Sequence, residues 1–208
     1  MPLEQWLPDD MLLNIAKENN VSETAFFIKK DDHFYLRWFT PEIEMDLCGH
    51  ATLATAYCLK NHLNFNNDFV KFDSMSGELI VKYKGDYMQM DFPHRKPIKS
   101  VLPQNIMDSL SIKPSEILKS RDYVLVYESE DQIKNIQIDK ELFDKKNIDP
   151  GGVVITSIGN HSDFVSRYFV PQCSFFEDPV TGSTHCSLVP YWSERLKKNK
   201  LKSIQLSE

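Results

Sequence analysis

Two short segments of this chain each place small, turn-forming residues directly in front of an apolar run. Leu47-Cys48-Gly49-His50-Ala51-Thr52 opens the run Leu53 to Leu59, and Asp178-Pro179-Val180-Thr181-Gly182-Ser183 opens Cys186 to Trp192. Each predicts a tight turn feeding a helix. The first N–H groups of a helix have no partner within it and can hold an anion. Two such turns in one chain predict two lobes that share a carboxylate ligand at their interface.

The 208 residues allow one large domain or two small ones. With 41% hydrophobic and 26% charged residues, the chain has enough apolar material for a core. The net charge of −6 argues against nucleic acid and anionic membranes as partners, while leaving room for a local positive pocket. Cys48, Cys58, Cys173 and Cys186 form no C-x-x-C pair and no histidine cluster flanks them, so spacing gives a zinc site no support. Nothing resembles a signal peptide, and no apolar run approaches the ~18 residues of a membrane span. A cytoplasmic protein with free thiols is expected.

Residues 8–19 predict a helix capped by Asp9 or Asp10, with Leu12, Leu13, Ile15 and Ala16 inward and Asn19-Asn20 as its stop. Strands are expected over 24–29, 34–39, 69–73, 78–82 and 87–92, with turns at Ser76-Gly77 and Lys84-Gly85-Asp86. The run Gly49 to Leu63 predicts a helix buried on nearly all sides. Pro93 to Pro103 is the best linker, which divides the chain into lobes 1–100 and 101–208. The second half predicts helices over 104–109, 114–118, 129–136, 140–144 and 183–198, and strands over 123–127, 153–157 and 163–170. Pro190 should kink or break the last helix.

Several residues stand where they could carry chemistry. Glu23, in Ser22-Glu23-Thr24, sits at a strand start beside an expected cleft. Partial burial would raise its pKa from about 4.3 toward neutrality, which suits a group that gives and takes protons. A solvated glutamate beside a helix end is the bland alternative. His50, at the start of a helix, could donate to an anion with its pKa lowered by the helix N-terminus, or serve only as a capping or packing residue. Asp178 is held extended by the following proline and could accept from a substrate, or bond its own turn. Thr181, Gly182 and Ser183 offer small groups and N–H donors, or simple N-capping by Ser183. Cys48 at a helix N-terminus could be an activated thiol or a buried one.

Trp6-Leu7-Pro8-Asp9, Glu18-Asn19-Asn20-Val21-Ser22-Glu23-Thr24-Ala25-Phe26, Arg37-Trp38-Phe39-Thr40-Pro41 and Asp46-Leu47-Cys48-Gly49-His50-Ala51-Thr52 occur in that order. Ser166-Arg167-Tyr168-Phe169, Glu177-Asp178-Pro179-Val180-Thr181-Gly182-Ser183 and Pro190-Tyr191-Trp192 follow. Together they resemble the phenazine-biosynthesis-like isomerases, the PhzF-like family. The resemblance implies an α+β fold of the diaminopimelate-epimerase type: two similar lobes, each a curved sheet or barrel around a central helix. It implies a site between the lobes, with Glu23 as general acid/base, His50 and Asp178 assisting, and Ser22, Gly49, Gly182 and Ser183 binding. It also implies proton transfer on a small carboxylate substrate with no cofactor and no metal. Racemases of the same architecture use two cysteines. Here the second turn has Asp178-Pro179 in place of a thiol, and Cys186 lies too far into its helix to serve.

Family members usually begin with a further strand and continue past the Pro-Tyr-Trp helix. A fragment, a decayed gene product, and a chain that completes its sheet as a homodimer are the alternatives this leaves. A non-catalytic binding protein on the same scaffold and a Cys48-dependent epimerase are the rival functional readings.

Overall fold

The structure is a computed structural model of the 208-residue chain. It describes all residues except 147, 149, 150, 173–175 and 208, so Cys173 lies outside the described residues. The chain divides into two compact units, Met1–Pro93 and His94–Glu208.

In the first unit a sheet runs in the order β1 (Pro2–Leu3), β2 (Thr24–Lys30), β3 (His33–Phe39), β5 (Phe69–Ser74), β6 (Gly77–Lys84), β7 (Tyr87–Asp91), with β4 (Glu44–Met45) paired to β3. The sheet stays open, so of the two expected forms, a curved sheet or a barrel, the barrel is not closed. Successive strand residues face opposite sides. Phe26 and Phe39 therefore pack against Leu12 and Ala16 of α1 (Asp9–Asn19), while Phe27 turns the other way, toward Leu59 of α2 (Gly49–His62).

Neither Asp9 nor Asp10 caps α1. Its N-cap is Pro8, and Asp9 instead pairs with Arg37 at 2.9 Å. Asn20 ends the helix in the left-handed region at φ 47°, a conformation asparagine tolerates. The helix α2 is not enclosed on nearly all sides as its composition suggested. Only the face of Gly49, Ala51, Thr52, Thr55, Ala56 and Leu59 is buried, because an open sheet covers one side of it. Tyr57 and Leu63 are exposed.

The second unit repeats the plan: β13 (Glu177–Asp178), β12 (Phe164–Phe169), β11 (Val153–Ile158), β10 (Tyr123–Val126), β9 (Glu116–Lys119), β8 (Ile98–Lys99), with β14 (Ser203–Gln205) on β12. β10 and β11 run parallel and are almost continuously apolar, as strands covered on both faces must be. Val124, Val154 and Phe164 meet Leu188 and Trp192 of α6 (His185–Leu196). Leu125, Ile155 and Val165 meet Ile106 of α3 (Gln104–Ser109), Ile133 of α4 (Glu130–Asn135) and Phe143 of α5 (Lys140–Phe143).

The helix expected over 114–118 is the strand β9, antiparallel to β10. A five-residue segment has little helical stability of its own, so the pairing with β10 decides the matter. The linker Pro93–Pro103 is partly structured: Ile98–Lys99 forms β8, and Leu102 is buried. Pro190 does sit inside α6. The Cys186 carbonyl, left without its helical donor four residues on, accepts from the Arg95 N–H at 2.9 Å.

Candidate active site

Each unit builds its helix entrance with the same device. Arg37 on β3 donates through Nε and Nη2 to both Glu44 oxygens at 2.6 and 2.7 Å, and its guanidinium stacks 5.0 Å from the Phe39 ring. Arg167 on β12 donates likewise to Glu177 at 2.7 and 2.7 Å and stacks 5.0 Å from Phe169. Paired, planar forks of this kind fix direction as well as charge. They pin β4 and β13, the short strands that lead into the turns. Gly49 follows Glu44, and Gly182 follows Glu177, at the same offset of five positions (49 − 44 = 182 − 177).

This spacing revises the comparison of the two turns. Cys48 is the N-cap of α2, and Thr181 is the N-cap of the 3-10 turn Gly182–Thr184 that opens α6. Thr181, rather than Asp178-Pro179, is thus the counterpart of Cys48.

In the first unit Glu23, Cys48 and His50 come together. Glu23 closes the loop between α1 and β2, which Asn19 braces by donating to Thr24 Oγ1 at 3.1 Å. Its carboxylate lies 3.0 Å from His50 Nε2, with the Glu23 side chain 12% exposed and that of His50 48%. Glu23 Oε2 is sealed from water and accepts no hydrogen bond beyond this ionic contact. Cys48 Sγ lies 3.8 and 3.9 Å from the two His50 nitrogens. His50 is pushed up to about 10, by the Cys48 sulfur first and the Glu23 carboxylate second. The helix N-terminus was expected to lower it; two acceptors within reach outweigh that dipole. Burial pushes the Cys48 thiol up, so it is not the activated thiolate that its helix-end position suggested. The charge facing the imidazolium is therefore the carboxylate.

Gly49 is where α2 meets the end of the sheet. A Cβ there would stand 2.8 Å from Phe92 Cζ and 3.4 Å from Met90 Cε, so any larger residue would have to displace the Phe92 ring. No side chain caps the helix start, which leaves its first N–H groups for a ligand. An open cleft of 640 Å³ adjoins, lined by Glu23, Ala25, Phe27, His50, Ala54 and Cys58 among others. Ser22 is exposed beside Glu23.

In the second unit Asp178 is occupied by its own turn. Its Oδ1 accepts from Val180 N at 3.2 Å and its Oδ2 from Thr181 Oγ1 at 2.7 Å. Ser183 caps neither element, since the N-cap of the 3-10 turn is Thr181 and that of α6 is Thr184. Sequence reasoning missed Gln205. From β14 its amide donates to Asp178 O at 2.6 Å and accepts from Thr181 N at 2.8 Å, clamping both arms of the turn. Only the pairing of β14 with β12 brings it there. Cys186 is buried inside α6 with its thiol pushed up to about 11 by burial.

The family profile described as PhzC-PhzF, phenazine biosynthesis-like protein, matches residues 2–208. The chain belongs to the PhzC-PhzF family. It is 45% identical over 204 residues to an uncharacterized isomerase of Pseudomonas aeruginosa, covering 98% of this chain and 78% of that one. A PhzF-family crystal structure from Enterococcus faecalis matches with TM-score 0.85 and 42% identity, over 99% of this chain and 79% of that one. At the level of fold alone, a predicted epimerase of P. aeruginosa matches with TM-score 0.66 and 19% identity. The PhzF fold is thus an α+β arrangement of two similar lobes, each with a multistranded sheet and helices. No helix among the described residues is long and apolar enough to cross a membrane.

Proposed function

We propose that this PhzF-family chain is a cofactor-independent isomerase that moves a proton on a small carboxylate-bearing substrate, with Glu23 as the general acid/base. The observation that carries this reading is the Glu23 carboxylate at the cleft, with its Oε2 sealed from water and 3.0 Å from Nε2 of a half-exposed His50 at a helix start. A general base must lie near enough to the cleft to reach a C–H bond, and Glu23 lines it. The description of the P. aeruginosa relative as an isomerase agrees with this class of reaction.

In the proposed step a substrate C–H bond breaks, its proton passes to a Glu23 oxygen, and its electron pair delocalises into the conjugated substrate. His50, as imidazolium, balances the negative charge that develops. Glu23 then returns the proton to a second carbon, so the atoms are conserved and nothing is oxidised. Uncapped N–H groups at Gly49 and His50 bind the substrate carboxylate, with Ser22 alongside. Gly182 and Ser183 at the second turn are assigned to binding, and Asp178 to assisting the proton transfer.

The test is deuterium exchange into a panel of small aromatic and amino-acid carboxylates, followed by NMR. Glu23→Gln should abolish exchange while ligand affinity stays nearly unchanged. Full exchange in that variant would sink the assignment. Binding with no exchange even in the native chain would favour a non-catalytic binding member of the family.

A further inference from the structure

Three different metal donors converge at the start of α2. Glu23 Oε2 is 3.0 Å from His50 Nε2, and Cys48 Sγ is 3.8 and 3.9 Å from the His50 nitrogens. One donor atom from each residue lies within 4.8 Å of the others. In a tetrahedral site with ligand bonds of about 2.0–2.3 Å, neighbouring donors stand roughly 3.3–3.8 Å apart. The two spacings to His50 bracket that range and can be evened by rotation of the half-exposed imidazole, while the Glu23–Cys48 spacing lies within 4.8 Å. Two of the donors have no other strong commitment. The Cys48 side chain makes no full cap bond to the helix start, and Glu23 Oε2 has no hydrogen-bond partner beyond its ionic contact with His50. The spacing argument against zinc could not see this set, because Glu23 reaches it from 25 residues upstream of Cys48 (48 − 23).

We propose that Glu23, Cys48 and His50 form a binding site for a borderline-soft divalent cation of the Zn²⁺ type, whose occupation withholds the Glu23 carboxylate from substrate. One thiolate, one imidazole and one carboxylate favour such ions over Mg²⁺ and Ca²⁺, which prefer all-oxygen sets. The fourth position is left to water. On binding, the Cys48 thiol proton and the second His50 ring proton pass to solvent, and the metal replaces the Glu23–His50 ion pair. The ion here is an inhibitor and takes no part in turnover. The binding stands on geometry alone; the inhibition rests on Glu23 being the base.

The test is titration of the purified full chain with Co²⁺, read by the thiolate-to-cobalt absorption in the near ultraviolet, then displacement by Zn²⁺. We expect one ion per chain, a band lost in Cys48→Ser and kept in Cys58→Ser, and at least tenfold weaker binding in His50→Gln. His50→Gln changes a half-exposed side chain and keeps the experiment decisive should Cys48→Ser fail to fold. The surface contacts of His33 with Asp32 and Asp73 offer no thiol and give no such band. Absence of the band in the native chain, its survival in Cys48→Ser, or equal affinity in His50→Gln would overturn the site. Deuterium exchange with and without Zn²⁺ separates the two readings. If Glu23→Gln exchanges normally while the band persists, the base assignment fails alone. If the band is absent while native exchange depends on Glu23, the metal site fails alone.

Discussion

Glu23 and His50 lie 27 positions apart in the chain (50 − 23) and meet only because β2 and α2 stack against each other. Their pairing has a direct consequence in solution. The folded pKa of His50, about 10, lies above the ordinary histidine value of 6.5. The stabilisation it contributes is therefore complete below about pH 6.5 and is lost as pH rises through about 10. An NMR titration of the His50 ring should give a midpoint well above 6.5, and Glu23→Gln should move it down. A midpoint indifferent to Glu23→Gln would mean that the ion pair does not form. Cys48→Ser should leave exchange activity largely intact, because the thiol is buried and pushed up. A loss of several orders of magnitude would restore the cysteine-dependent epimerase reading.

At the scale of elements, the two helix entrances are set by what holds them from behind. Gln205 makes two hydrogen bonds to the backbone of the second turn, each worth about 0.5–1.5 kcal/mol net, beside a longer one to Thr181 Oγ1. Gln205→Ala should thus cost about 1–3 kcal/mol in urea unfolding and weaken carboxylate binding. Its partner residues were legible in the sequence, but Gln205 was not, since a three-residue terminal strand carries no periodic signal. Gly152 is a sterner case. A Cβ there would lie 2.5 Å from the Tyr168 ring and 2.7 Å from the Phe169 carbonyl oxygen. A backbone oxygen inside a paired strand cannot withdraw as a flexible side chain can. Gly152→Ala should destabilise by about 1–3 kcal/mol or more, measured by chemical denaturation. Loss below a few tenths would show that the strand yields.

On the scale of the whole molecule, each unit carries its own core, and truncation in either should be felt. Leu12→Ala in the first unit and Leu125→Ala in the second remove fully buried side chains, each at a cost of about 2–5 kcal/mol. Native-state hydrogen exchange should report the first loss among α1, β2 and β3 and the second among β10 and β11. A carboxylate ligand present at ~100 times its dissociation constant should add about 2.7 kcal/mol to the melt.

The sequence by itself determined the local elements and the family. Alternation marked the long strands, the small-residue turns marked the starts of α2 and α6, and the ordered motifs from Trp6 to Trp192 pointed to PhzF-like proteins. These are short-range signals, set by side-chain sterics and by backbone groups a few residues apart. Tertiary structure alone decided what depends on partners distant in the chain. It made β9 a strand through β10, left α2 covered on one face by an open sheet, and matched Thr181 to Cys48. It also raised His50 instead of lowering it, because a carboxylate from another element lies 3.0 Å away. Coulomb attraction and steric exclusion act through space, and neither is written in the spacing of residues along the chain.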